Sequence, residues 1–166
     1  MLMKQLILIT YLFFSLTCFA QKTPSYTDYI VKVEKKVAGT VILKSHLKAN
    51  DFRTKLQTAM VNEQINFAGK LILTQWGCGT ACVQAALIDA LTGEVYFPEI
   101  LQGVTQGYNE SFANHEILEF KKNSKLLMIY GVAGNGFKDD QKDFIQGISY
   151  YEWTGKDFCL LKFTTK

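Results

Sequence analysis

The residues best suited to chemistry in this chain are two cysteines four positions apart, Cys78 and Cys82, in the segment WGCGTAC at 76–82. A cysteine beside glycines can act as a nucleophile, with glycine N–H groups stabilising an oxyanion. In an oxidising compartment the same pair would instead close a disulfide across a tight turn. A redox exchange site is more usually a CxxC motif at a helix start. The spacing therefore favours a structural disulfide, and we assign no catalytic residue.

The N-terminal segment indicates export. Residues 1–20 combine a basic start, an apolar core over 6–14 and the small residue Ala20 at the expected cleavage point, which are features of a secretory signal peptide. The apolar core is shorter than the about 20 residues that a membrane span needs, so we expect no transmembrane segment. We expect a periplasmic or extracellular protein with one β-rich domain, 21–166. Acylation of Cys18, as in a lipoprotein, is the alternative.

Three cysteines remain after the predicted cleavage. Pairing of Cys78 with Cys82 is favoured because a turn already brings them together, and so short a loop contributes about 2 kcal/mol. Cys159, in the apolar run 158–161, is then expected to be a buried free thiol. The alternative joins Cys159 to one of the turn cysteines, and linear sequence leaves both pairings open.

The charge pattern argues against several partners. The chain has 18 lysines and arginines against 15 aspartates and glutamates, and they are scattered, whereas nucleic-acid binding normally shows a clustered basic face. His46 and His115 lack the spacing of metal ligands, and the adjacent carboxylates of 139–143 do not alternate as in a calcium loop. The chain also has no P-loop or dinucleotide motif. We therefore expect no nucleic-acid partner, no metal and no cofactor.

Local patterns predict one helix and several short strands. The helix is capped by Asn50 or Asp51, ends near 62–64 and carries a narrow apolar stripe. That stripe consists of Phe52, Leu56, Ala59 and Met60. The predicted strands are 29–33, 67–76, 83–90, 94–97, 116–120, 126–132, 148–153 and 158–163. The predicted fold is mainly β, an antiparallel meander or sandwich-like sheet with one short amphipathic helix near the N-terminus.

Two longer loops, 98–114 and 134–146, interrupt the strands, and loops of this length are often functional or mobile. Tyr150 and Tyr151 are adjacent in a strand and point to opposite faces, so one of them is expected to be exposed or at a rim.

The turn and its flanks supply the candidate binding residues. Trp76 can anchor a partner, because large rigid aromatics dominate interface energetics, although a core tryptophan packed on the disulfide is the simpler interpretation. Asp89 can belong to the same surface or cap the turn that follows it. The full candidate set is Asn66, Trp76, Gly77, Gly79, Thr80 and Asp89.

Three motifs carry a resemblance. The succession NFAG at 66–69, WGCGTAC at 76–82 and DALTGEVY at 89–96 resembles a group of small secreted bacterial proteins that share NFAG, WGCGTxC and DxxTGxVY. The resemblance covers about 52–97 and, loosely, the closing YYEW hairpin. It departs at Lys70-Leu71, where the group has a histidine and an aromatic residue. The group has no established activity, so the resemblance implies the fold and export and adds little about function.

Three functional hypotheses follow. The first is a non-enzymatic binding module that presents the stiffened turn to a protein or cell-envelope component. The second is a small cell-envelope hydrolase that uses the turn glycines as an oxyanion site together with an acid such as Asp89. The third is an inhibitor or immunity-like protein that blocks another enzyme.

Overall fold

The structure is a computed structural model that describes residues 22–106, 110–134 and 145–165. The predicted signal peptide 1–20, with Cys18, and the segment 139–143 lie outside the described residues. No helix in the described ranges is long and apolar enough to cross a membrane.

The first of two antiparallel sheets is centred on one hairpin. Its strands are β1 (Leu71–Gly79), β2 (Cys82–Asp89), β3 (Val95–Tyr96) and β4 (Gln102–Thr105). β2 pairs with β1 on one side and with both β3 and β4 on the other. β1 is therefore an edge strand. The β1–β2 register runs from Leu71 opposite Asp89 to Gly79 opposite Cys82.

The second sheet is a four-stranded meander. Its strands are β5 (Leu118–Phe120), β6 (Leu126–Gly131), β7 (Gly147–Trp153) and β8 (Phe158–Thr165), in that order. β5 and β8 are thus its edges. A single helix, α1 (Arg53–Asn62), and five short 3-10 helices complete the described chain. The 3-10 helices are Tyr26–Tyr29, Leu43–Ser45, Leu47–Ala49, Glu99–Leu101 and Glu110–Phe112.

Strand alternation divides the core into layers. Successive side chains of a strand point to opposite faces, so Leu71 and Leu73 of β1 enter a core shared with Leu127 and Ile129 of the second sheet. Ile72 points the other way, toward the helix layer. That layer includes Leu56, Ala59, Met60, Ile72, Ala86 and Ile88. The first sheet is therefore covered by the second sheet on one face and by α1 on the other.

The outer face of the second sheet is covered as well. Tyr150 and Tyr130 pack there with Phe112 and, from the N-terminal 3-10 helix, Tyr26. Tyr151 faces the shared core instead. The expectation that one of the adjacent tyrosines is exposed is wrong, because both faces of the sheet are covered and Tyr150 and Tyr151 are 8% and 6% exposed.

The mainly β, two-sheet architecture with one helix confirms the predicted fold class. The predicted strand 29–33 is wrong. Its first residue closes a 3-10 helix, and Ile30 makes only an isolated bridge to Ser124. The following backbone crosses between elements, since Val31 N–H donates to the carbonyl of Asn123. Segment 98–114, predicted as a loop, contains β4 and two of the 3-10 helices.

The helix matches its predicted span but not its predicted cap. Phe52 occupies the N-cap position, and neither Asn50 nor Asp51 does. The carbonyl of Asn50 accepts from Arg53 N–H in a preceding turn, and its side-chain oxygen accepts from the Arg53 guanidinium at 3.3 Å. The Asn50 side chain therefore bonds another side chain in place of the helix backbone.

Candidate functional site

The end of the β1–β2 hairpin is closed by a disulfide between Cys78 and Cys82, whose Cα atoms are 5.2 Å apart. The local pairing is therefore the correct one. Gly79, with φ 145°, and Ala81, with φ 52°, turn the chain between them, a conformation that glycine adopts most readily. Residues 77–81 are exposed. The turn is a protruding, covalently closed feature.

The third cysteine is accessible. Cys159 is a free thiol and is exposed on β8, so the expectation of a buried thiol is wrong. β8 is an edge strand, and apolar neighbours in sequence do not bury a residue that no element of the described chain covers. Leu160 beside it is 53% exposed.

Trp76 lies on the α1 side of β1 and is half-buried. Its ring packs on Phe52, with ring centroids 4.8 Å apart. The ammonium of Lys55 lies 5.9 Å from the centre of the Trp76 ring, within the range of a cation–π contact. Trp76 is thus held in place on one side and borders solvent on the other.

Asn66 lies beside the outer edge of β1. Its side-chain Nδ2 donates to the carbonyl of Leu73 at 3.0 Å, and its Oδ1 accepts from the Leu73 N–H at 2.7 Å. Leu71, two residues earlier on the same edge of β1, exchanges backbone hydrogen bonds with Phe67. The side chain of Asn66 thereby takes the place that a neighbouring strand's backbone would take.

Beyond Leu73 the edge is open. Outward-pointing backbone groups alternate along an edge strand, so the N–H and C=O of Gln75 and Gly77 point away from β2, as those of Leu71 and Leu73 do. In the part of the chain that the structure describes, no backbone group pairs with them. Both residues are exposed. A short stretch of β1 next to the disulfide therefore offers unpaired donors and acceptors.

Two grooves flank this open edge, and Gln75 lines both of them. The α1 groove has a volume of about 260 Å³ and lies between α1 and β1. Its lining is Thr54, Lys55, Thr58, Ala59, Glu63, Thr74, Gln75 and Trp76. The β5 groove has a volume of about 360 Å³ and lies between the edges of the two sheets. Its lining is Tyr26, Gln75, Glu116, Leu118, Glu119, Phe120 and Lys121.

A cluster of titratable groups adjoins the β5 groove. His115 Nδ1 lies 2.9 Å from a carboxylate oxygen of Glu119 and its ring stacks on Tyr130 at 4.1 Å. The Tyr130 hydroxyl donates to Glu119 at 3.4 Å. Burial, followed by the Glu119 charge, raises the pKa of Tyr130 to about 12. Burial and the same charge also raise the pKa of Tyr26. The four-residue spacing of His115 and Glu119 is visible in the sequence, but their contact depends on the folded chain.

Asp89 does not belong to the surface around the turn. Its carboxylate accepts from Leu91 N–H at 2.8 Å and Thr92 N–H at 3.2 Å, and from the Lys70 ammonium at 2.6 Å. Asp89 is 1% exposed and lies seven residues along β2 from Cys82, about 23 Å at the rise of a strand. It caps the turn after β2. The hydrolase hypothesis requires Asp89 to lie beside the turn glycines, and in the structure it does not.

A larger groove than these two lies elsewhere, at the edge of β3, and has a volume of about 520 Å³. Its lining is Ser45, His46, Glu94, Val95, Tyr96, Phe97, Pro98, Glu99, Lys156 and Asp157. The Tyr96 hydroxyl donates to Glu94 at 3.0 Å, and burial together with this bond raises the pKa of Tyr96 to about 12. Among the described residues, no three histidine, cysteine or carboxylate side chains are placed to hold a metal ion.

Of the six candidate binding residues, the structure brings five to one region. Trp76, Gly77, Gly79 and Thr80 form the outer half of the hairpin, and Asn66 bounds the open edge on its other side. Comparisons with protein-family models, curated proteins and solved structures found no match.

Proposed function

We propose that this protein is an exported, non-enzymatic binding module that recognises a protein or cell-envelope component around the Cys78–Cys82 turn. The observation that carries the proposal is one juxtaposition. A covalently closed, exposed turn, a half-buried tryptophan and two grooves adjoin a single edge of β1.

Rigidity supports recognition by the turn. A disulfide closing five residues and the bulge between Gly77 and Gly79 restrict the conformations available before binding. Preorganisation of this kind improves affinity because less conformational entropy is lost in the complex. The same disulfide suits an oxidising compartment, which agrees with the proposed periplasmic or extracellular location.

Trp76 is suited to anchor the partner. Its ring is fixed by Phe52 and borders the α1 groove, where Lys55 lies over it. A prepositioned aromatic loses little side-chain freedom on binding and contributes a large apolar contact. An inhibitor or immunity-like role would be one case of this function, in which the partner is an enzyme.

The experiment compares capture of an envelope partner by chain 21–166 and by variants of it. Trp76→Ala and Thr80→Glu are expected to weaken binding at least about tenfold, because each alters the proposed contact surface. Leu160→Ala, on the exposed edge of β8 in the other sheet, is the matched control and should bind as the parent does. Equal binding by all three variants would overturn the proposal.

A further inference from the structure

We propose that the partner adds to this protein as an extended β-strand, pairing with the open edge of β1 at Gln75 and Gly77. This inference rests on the proposed binding function and names the class of ligand, which is an unfolded or loop segment of another polypeptide. In strand addition, backbone hydrogen bonds supply affinity and pockets for alternate side chains supply selectivity. Both elements adjoin Gln75.

The backbone of the edge has the correct spacing. Outward groups on one strand recur every second residue, about 7 Å apart. Those of Gln75 and Gly77 are unpaired among the described residues and exposed. A peptide strand laid along this edge would pair with both residues at once.

The stretch of β1 that an added strand could pair with is limited at both ends. On one side the Asn66 side chain already occupies the outward groups of Leu73. On the other, the ladder is interrupted between Gly77 and Gly79 and the chain turns at the disulfide. The open stretch therefore accommodates a segment of about five or six residues at the rise of a strand.

The grooves lie where alternate side chains of an added strand would point. Side chains of a strand alternate between its two faces. One would enter the α1 groove and the next the β5 groove, with Gln75 between them. Their volumes of about 260 and 360 Å³ are sufficient for single side chains.

The charged groups of the two grooves differ. The α1 groove contains one lysine, Lys55, and one glutamate, Glu63, whereas the β5 groove contains two glutamates and one lysine. Lys55 forms no salt bridge within the described residues and would attract an acidic side chain. The β5 groove contains Glu116, also without a salt bridge there, and Glu119, beside the apolar Phe120. Its cation, Lys121, lies 4.5 Å over the Tyr26 ring. This groove suits a long basic side chain. The preferred segment therefore carries an acidic and a basic residue at adjacent positions.

Capped hexapeptides test the charge pattern on chain 21–166 by amide chemical-shift titration. The probe is Thr-Val-Glu-Lys-Val-Thr, in which the charges point to opposite faces. The control, Thr-Glu-Val-Lys-Val-Thr, has the same composition with both charges on one face. The probe is expected to shift the amides of Gln75 and Gly77 and to bind at least about tenfold more tightly than the control. Equal affinities, or shifts confined to other strands, would overturn the charge assignment.

Backbone methylation tests strand addition itself. Two versions of the probe carry N-methyl groups, one at its second and fourth residues and the other at its third and fifth. Only one set of N–H groups faces β1, so one version should lose at least about tenfold in affinity and the other should bind as the parent does. Equal affinities of the two methylated peptides would overturn strand addition.

A variant of the protein provides the reciprocal test. Gln75→Pro removes the outward N–H of residue 75 while the β1–β2 ladder is retained, since proline is tolerated at the free side of an edge strand. It should abolish probe binding, whereas Gln75→Ala keeps the backbone donor and should bind the probe within about threefold. Formation of the Cys78–Cys82 disulfide and an unchanged circular dichroism spectrum verify folding. Binding by Gln75→Pro at parental affinity would contradict the proposal.

The outcomes separate this inference from the proposed function. If Trp76→Ala weakens capture of the envelope partner but Gln75→Pro does not, the binding function stands and strand addition is rejected. If neither variant affects capture, both are rejected. Concentration-dependent dimers that Gln75→Pro abolishes would mean that a second copy occupies the edge, and would overturn the assignment to a different polypeptide.

Discussion

The side chain of Asn66 is hydrogen-bonded to both backbone groups of Leu73, at 3.0 Å to its carbonyl and 2.7 Å from its N–H. Leu73 is almost fully buried, at 2% exposed. The asparagine therefore satisfies an edge position that water reaches poorly. It also marks the limit of the open edge of β1.

Asn66→Ala should destabilise the protein by about 1–3 kcal/mol, because it leaves a buried donor and a buried acceptor of Leu73 without partners. Asn66→Asp keeps the acceptor but places a carboxylate oxygen against the carbonyl of Leu73, so it should destabilise the protein as well. Urea unfolding, monitored by circular dichroism, measures the loss of stability in both variants. A change below about 0.5 kcal/mol for Asn66→Ala would show that water replaces the asparagine freely.

Removal of the disulfide should loosen the turn without unfolding the domain. The bond closes a loop between Cys78 and Cys82 only, so the chain-entropy term is about 2 kcal/mol. The double variant Cys78→Ser and Cys82→Ser is expected to keep its circular dichroism spectrum and to lose about that amount in urea unfolding. In chain 21–166 a maleimide should label Cys159 alone, since it is the exposed free thiol among the described residues. Complete unfolding of the double variant would contradict the layered core described above.

Asp89 should contribute to the stability of the fold. Its buried carboxylate accepts from two backbone N–H groups and from Lys70. Hydrogen bonds to a charged group contribute about 1.5–3 kcal/mol each, so Asp89→Ala should cost at least about 2 kcal/mol in urea unfolding. Lys70→Met removes only one partner, whose side chain is 44% exposed, and should cost less. A larger loss of stability for Lys70→Met than for Asp89→Ala would contradict the prediction that the Lys70 bond is only part of the contribution of Asp89.

Alkaline pH should destabilise the fold through its tyrosines. Burial raises the pKa of Tyr96, with a contribution from Glu94, and that of Tyr130, with a contribution from Glu119, each to about 12. An unfolded tyrosine loses its proton near about pH 10. Between these values the unfolded state binds fewer protons, so the free energy of unfolding falls as pH rises.

Urea unfolding between about pH 9 and 12 checks this prediction. Cys159 is alkylated beforehand to prevent disulfide exchange. Tyr96→Phe should make the pH dependence shallower, and Glu94→Gln should do so to a smaller extent because burial remains the main cause. An unfolding free energy that is independent of pH over this range would refute the assignment.

The hairpins and the disulfide were predictable because their signals are local. β1 and β2 are largely apolar runs on either side of a glycine-containing turn, and Cys78 and Cys82 flank that turn. The closing β7–β8 hairpin has the same kind of pattern. By contrast, β4 has four residues within a segment that has few apolar side chains, so its pairing to β2 depends on contacts made after folding.

The open edge was not predictable, because it depends on which strands lack neighbours. Gln75 gives no sign in sequence that it lies between two grooves. One groove requires α1, and the other requires β5, more than forty residues further along the chain. Asn66 was a candidate by resemblance, but its bonds to Leu73 follow from the turn through Gly69, where φ is 78°. The exposure of Cys159 likewise follows from strand order.

Amide hydrogen exchange, measured by NMR on chain 21–166, tests the central claim most directly. In the free protein the amides of Gln75 and Gly77 should exchange at nearly unprotected rates, whereas those of Leu73 and Thr74 should be protected. Addition of the Thr-Val-Glu-Lys-Val-Thr probe should selectively slow hydrogen exchange at the amides of Gln75 and Gly77. Strong protection of these two amides in the free protein, or no change when the probe is bound, would contradict recognition by strand addition at this edge.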